Sequence, residues 1–300
     1  MATLDAQTVW LDYDQAGLDK QYNSRGSVAD FTVFLREYSE RTRLAKSTLR
    51  CIENVEYGDG AAERLDIYPA ADSGAPVLVF LHGGDWRALS KEDSGFPAPT
   101  FVAAGATVVV PDFDLVPNTT IPEMGVQVRW MLDWVARHIG EHGGDRSRIF
   151  IAGHSSGANL VSQLLACDWM RDFGQPADLI KGAVFMSGLG DLEPVRRSFR
   201  NTILQLDEEM VRKASLLRQS FTSAAPMLVA VSDGETAEYQ RQAAAVADFW
   251  RSRANACELH RIAGCNHFDG VLAWTDPASA LFRATLGMMG LAVQESSTAG

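Results

Sequence analysis

The chain has 300 residues, with 27 Lys and Arg against 38 Asp and Glu, a formal charge of −11. Hydrophobic residues make up 46% and charged residues 22%, the mix of a folded globular chain rather than a disordered one. No apolar run reaches the ~18 residues a membrane span needs. The acidic balance disfavours a general nucleic-acid surface.

Met1 to Trp10 has neither the basic start nor the apolar stretch of a secretory signal. The four cysteines, Cys51, Cys167, Cys257 and Cys265, form no C-x-x-C pair. Together these features read as reduced thiols in a cytoplasmic protein, with no zinc knuckle.

Residues 1–50 have helical spacing and precede the sheet as a cap segment. Glu63 to Tyr68 alternates polar and apolar, which predicts a half-buried strand. Pro76 to Leu81 is an apolar run ending in His82-Gly83-Gly84, and Thr107 to Val110 is another, ending in Pro111-Asp112. Pro122 to His142 opens with a proline suited to a first helical turn. Its Val126, Trp130, Met131, Trp134, Val135 and Ile139 recur at helical spacing and predict the buried face.

Arg148 to Ala152 is a third run, closed by Gly153, and a helix is expected from Ala158 to Met170. Ala183 to Met186 follows. The charged stretch Gly188 to Ser220 is then too long for a plain connection, and reads as a lid-like insertion or a surface helix pair. Met227 to Val231, a helix from Thr236 to Ala254, and a last strand from Cys257 to Ile262 complete the alternation. Glu295 to Gly300 are small and polar, and 293–300 reads as a flexible tail. Continuous apolar runs separated by helices predict an α/β domain over 51–292, its mostly parallel sheet flanked by helices.

Gly153-His154-Ser155-Ser156-Gly157 lies between a predicted strand and a predicted helix. That context suits a nucleophile on a sharp turn, with Ser155 exposed and the next helix aiming its N-terminus at developing negative charge. His82-Gly83-Gly84-Asp85-Trp86 follows an earlier strand. Amides of Gly83, Gly84 and Asp85 would join the Ser156 amide in an oxyanion hole, and Trp86 would shape the pocket.

A serine needs a base. Of six histidines, His267 alone lies in a loop after the last strand, where the order serine, acid, histidine places it. The acid follows Met227 to Val231, and both Asp233 and Glu235 stand there. These groups point to acyl transfer. Neither a metal nor an organic cofactor is implied, and a small molecule is the expected partner.

Together the motifs resemble the α/β-hydrolase fold, and within it the arylformamidase-like branch near the hormone-sensitive-lipase-type esterases. The resemblance spans nearly the whole chain. It is carried by His82-Gly83-Gly84-x-Trp86, by Asp112-Phe113-Asp114-Leu115-x-Pro117 and by Ser187-Gly188-Leu189-Gly190-Asp191-Leu192-x-Pro194. Gln21-Tyr22-Asn23-x-Arg25 and Asn266-His267-Phe268 add to it.

The segment Glu235 to Gln242 is similar to the branch's acid segment, whose first carboxylate is the triad acid; this favours Glu235 over Asp233. The resemblance further implies hydrolysis of a small aryl amide, formamide or ester through an acyl-enzyme, and a homodimer. A general carboxylesterase, or a non-catalytic receptor on the same fold, are the alternatives. Asp85 and Gly190 depart from the branch, which often carries aromatic residues at both positions.

Overall fold

The computed structural model describes residues 8–292, so the tail expected at 293–300 lies outside the described residues. The apolar runs become strands of one eight-stranded sheet: β1 (Ile52–Glu56), β2 (Arg64–Tyr68), β3 (Ala75–Leu81), β4 (Thr107–Pro111), β5 (Gly144–His154), β6 (Ile180–Met186), β7 (Met227–Ser232) and β8 (Cys257–Ile262). Their order is β1-β2-β4-β3-β5-β6-β7-β8. Only the pairings of β2, with β1 and with β4, are antiparallel.

Every residue of β3 and β4 is buried, because helices cover both faces. Side chains alternate between two cores: Val77, Val79 and Leu81 enter one, Leu78 and Phe80 the other.

Three expectations are corrected. β2 is not half-buried: Leu65 to Tyr68 are all buried, and the polar member, Asp66, is accommodated because the Lys46 and Lys91 ammonium groups lie 2.7 and 3.2 Å from its carboxylate. The helix after β4 runs Ile121–His138, opened by a Thr120–Glu123 capping box. Its buried face is Met124, Val128, Met131, Leu132 and Val135, whereas Val126 and Trp130 are 46% and 57% exposed. The helix expected over Ala158 to Met170 is two helices, Ser156–Leu165 and Trp169–Phe173; the Asp168 carboxylate caps the second by accepting from the Arg171 amide.

The insertion after β6 folds into short helices, Glu193–Arg197, Asn201–Leu204 and Glu208–Ala214. It is bonded to the body of the molecule: the Asn159 side chain donates to Leu189 O and Ala214 O, and Gln242 Oε1 accepts from the Gly190 and Asp191 amides.

Candidate active site

β5 ends at His154 and the next helix begins at Ser156, leaving Ser155 on the turn with φ 55° and ψ −121°. A non-glycine residue there carries about 1–3 kcal/mol of backbone strain. The Ser155 amide is anchored on Met186 O at 2.9 Å. The flanking glycines have steric reasons: a methyl group at Gly153 would sit 2.4 Å from Gly157 O, and one at Gly157 would sit 2.1 Å from Leu81 O. Helix and strand therefore touch through backbone, and the serine is pushed outward.

The Ser155 hydroxyl donates to His267 Nε2 at 2.9 Å, and His267 Nδ1–H donates to Glu235 Oε2 at 2.8 Å. The side chains of all three are buried around this line. The other oxygen of Glu235 accepts from the Ser187 hydroxyl at 2.6 Å and the Ser232 amide at 2.9 Å. Burial pushes the Glu235 carboxyl upward, but the His267 charge and these hydrogen bonds outweigh it and hold the group below its ordinary value. Asp233 instead accepts from the Gly264 amide at 2.9 Å, as a loop cap.

His154 belongs to the same site. Its Nε2–H donates to His267 O at 2.8 Å, and burial, with His267 beside it, pushes its pKa down to about 3. It is a neutral ring that braces the backbone of the histidine loop.

Above Ser155 lies a cavity walled by Gly84, Asp85, Ala88, Leu89, His154, Arg200 and Phe268, with Ser24, Arg25, Phe31 and Leu35 from the N-terminal segment. Gly83 closes against the nucleophile: a methyl group there would be 3.2 Å from Ser155 Cβ. Ser156 opens the helix whose N-terminus faces the site.

Trp86 departs from expectation. Its indole is 1% exposed in the core and forms no part of the cavity wall. From the insertion, Arg200 alone reaches the wall; the N-terminal segment supplies four of its side chains instead. Sequence spacing carries no signal for Ser24, Phe31 or Leu35, which precede the nucleophile by more than a hundred positions. Asp85, a departure from the branch, faces Arg200 Nη1 at 3.2 Å and Arg87 Nη2 at 3.0 Å.

Among the described residues one acidic cluster, Glu53, Asp66 and Glu92, has the spacing to hold a cation. The Lys46 ammonium already stands there, 2.8, 2.7 and 2.6 Å from the three carboxylates. Cys265 is free, and burial raises its thiol pKa.

A nucleophile elbow, a Ser–His–Glu line and a parallel sheet behind them define a serine hydrolase. Residues 78–268 match the family described as alpha/beta hydrolase fold, and the chain belongs to it. It is similar to kynurenine formamidase of Salmo salar, 31% identical over 301 residues, covering 94% of this chain and 98% of that protein. In fold it is similar to a solved protein of Silicibacter sp. TM1040, with TM-score 0.77 and 23% identity over 88% of this chain and 97% of that one. It is also similar to an esterase of Pyrobaculum calidifontis, with TM-score 0.68 and 20% identity over 88% and 95%.

Proposed function

We propose that the chain hydrolyses small aryl amides, with an arylformamide as the preferred substrate. The carrying observation is the hydrogen-bonded line from Ser155 through His267 to Glu235. Ser155 Oγ attacks the carbonyl as His267 Nε2 takes its proton. Glu235 holds the imidazole tautomer and stabilises the imidazolium. The tetrahedral oxyanion accepts from amides of Gly83, Gly84, Asp85 and Ser156. His267 then returns its proton to the leaving amine, and water releases the acyl group by the same path.

The aromatic wall of Phe31 and Phe268 suits an aryl leaving group, and the likeness to the salmon formamidase spans nearly the whole chain. Asp114 and Asp112 do not reach the cavity wall, so the acid–base work falls to the triad.

The test compares turnover of N-formylkynurenine and p-nitrophenyl acetate by wild type and Ser155→Ala. Formamide hydrolysis lost by about a thousandfold or more in Ser155→Ala supports the reading. Ester cleavage alone moves the substrate to small carboxylic esters. Activity on neither returns the receptor alternative.

The finer reading is a cytoplasmic homodimer without nucleic acid or membrane partners. The net charge of −11 and four free cysteines support the compartment and the absence of nucleic acid. The family resemblance supports the dimer, which light scattering tests. No helix among the described residues is long and apolar enough to cross a membrane.

A further inference from the structure

Gly84, Asp85 and Trp86 have φ of +107°, +60° and +58° in succession. Such a run persists only where its surroundings over-determine it. One end is fixed by the buried Trp86 indole and by the Val116 amide, which donates to Trp86 O at 2.9 Å. The other is fixed by the Arg87 and Ala88 amides, both donating to Gly84 O.

Between them, Asp85 is held through its carboxylate, by Arg87 and by Arg200. Arg200 is itself 6% exposed. Its Nη2 donates to the Tyr239 hydroxyl at 3.2 Å and reaches Ser24 Oγ at 3.4 Å. The Tyr239 ring packs on the His267 imidazole, with centroids 4.8 Å apart. One guanidinium therefore ties the glycine loop to the N-terminal segment and to the ring that backs the histidine.

We propose that Asp85 and Arg200 form a charge-compensated pair that holds the loop over Ser155, so that Arg200 is a positioning residue for the hydrolysis. This rests on the serine-hydrolase reading of the site. Without Arg200, Asp85 keeps only the more exposed Arg87, and its less compensated charge in the cavity wall would repel the oxyanion forming beside it. Without the carboxylate, an uncompensated guanidinium would face the imidazole as it gains its proton. Other charged or titratable groups around the pair are Arg87 on the loop, Tyr22 and Arg25 on the N-terminal segment, Glu235 bonded to His267, Tyr239 and Glu238 on the helix beyond it, and His154 and His267 across the cavity.

The experiment measures p-nitrophenyl acetate turnover across pH in wild type, Arg200→Met, Asp85→Asn and the double variant, per site titrated with a fluorophosphonate. Arg200→Met should lose about 10- to 100-fold in kcat with KM within about threefold. The double variant should recover at least about fivefold of that loss, because the buried pair is gone and the remaining Arg87 is partly exposed to solvent. The acid limb of the pH profile should move up in Arg200→Met and down in Asp85→Asn, opposite shifts that a merely structural role would not produce.

Full kcat in Arg200→Met, or acid limbs that coincide in the two single variants, would overturn the proposal. If Arg200→Met does not fold, the Asp85→Asn limb decides: an unmoved limb overturns it. Absence of both hydrolysis and labelling in wild type would instead remove the serine-hydrolase reading, and this proposal with it.

Discussion

Glu235 receives three donors on two oxygens, one of them the catalytic imidazole. Asp233 has one backbone amide from a neighbouring loop. Glu235→Gln should therefore cut kcat by about a hundredfold to ten-thousandfold, because the amide favours the wrong imidazole tautomer. Asp233→Asn should stay within about threefold, since an amide oxygen still accepts from Gly264. Steady-state kinetics on one ester rank the two, and the reverse order would give the acid role to Asp233.

The same carboxylate makes stability depend on pH. Its folded value lies below its ordinary 4.5. It therefore contributes stability above the unfolded value, and loses that contribution as pH falls through the lower folded one. The gap in thermal stability between wild type and Glu235→Gln should shrink as pH falls from above the ordinary 4.5 through the lower folded value. A gap independent of pH would mean that Glu235 is not held ionised. Both residues stood out in the sequence as carboxylates after one strand. What separates them is the direction of each side chain in the turn after β7, which spacing does not encode.

At the scale of elements, the turn from β5 into its helix is tightly constrained. Gly157→Ala would put a methyl group 2.1 Å from Leu81 O and 2.5 Å from His82 O. Both are backbone atoms and cannot rotate away. The helix must lift from β3, at a cost of about 1–3 kcal/mol. For a chain of this size that lowers the melting temperature by several degrees, and moves Ser155 from His267. A melting curve matching wild type would contradict the close packing.

This turn was legible in the sequence because its constraint is local: five consecutive residues carry it. The strands β3, β4, β7 and the second half of β5 were legible for a related reason, since burial on both faces leaves an unbroken apolar run. Where burial depends on partners far along the chain, pattern misled. Asp66 looked like the wet side of a half-buried strand because Lys46 and Lys91, its partners, come from other elements. Val126 and Trp130 looked like core because the helix from Ile121 to His138 is apolar on more than one face, so periodicity alone does not choose which face is covered.

At the scale of the whole molecule, the catalytic line and the cavity have different origins. Ser155, Glu235 and His267 all lie in the turns and loops that follow β5, β7 and β8; motif order along the chain announced the serine and the histidine, and the family resemblance chose Glu235 over Asp233. Much of the opposite wall comes from residues 24–35, placed there by tertiary ties that no local pattern predicts. Tyr22 donates to Glu238 Oε2 at 2.8 Å, Thr236 Oγ1 to Gln21 O at 2.8 Å, and the Tyr38 hydroxyl to Phe268 O. The rings of Phe31 and Phe34 lie 6.0 and 5.8 Å from that of Phe268.

If this segment sets the size of the cavity, then trimming it should change which substrates are cut without touching the chemistry. Phe31 is only partly buried, so Phe31→Ala should fold. The space it vacates adjoins Leu35 and Phe268. The ratio of kcat/KM for 1-naphthyl acetate to that for phenyl acetate should rise by about tenfold, in keeping with what a few added carbons are worth in an apolar pocket. The rate of fluorophosphonate labelling at Ser155 should hold steady, because the triad and its donors are untouched. A ratio that stays constant would mean that larger aryl leaving groups exit the cavity by another side, and that the N-terminal segment braces the site rather than measuring its contents.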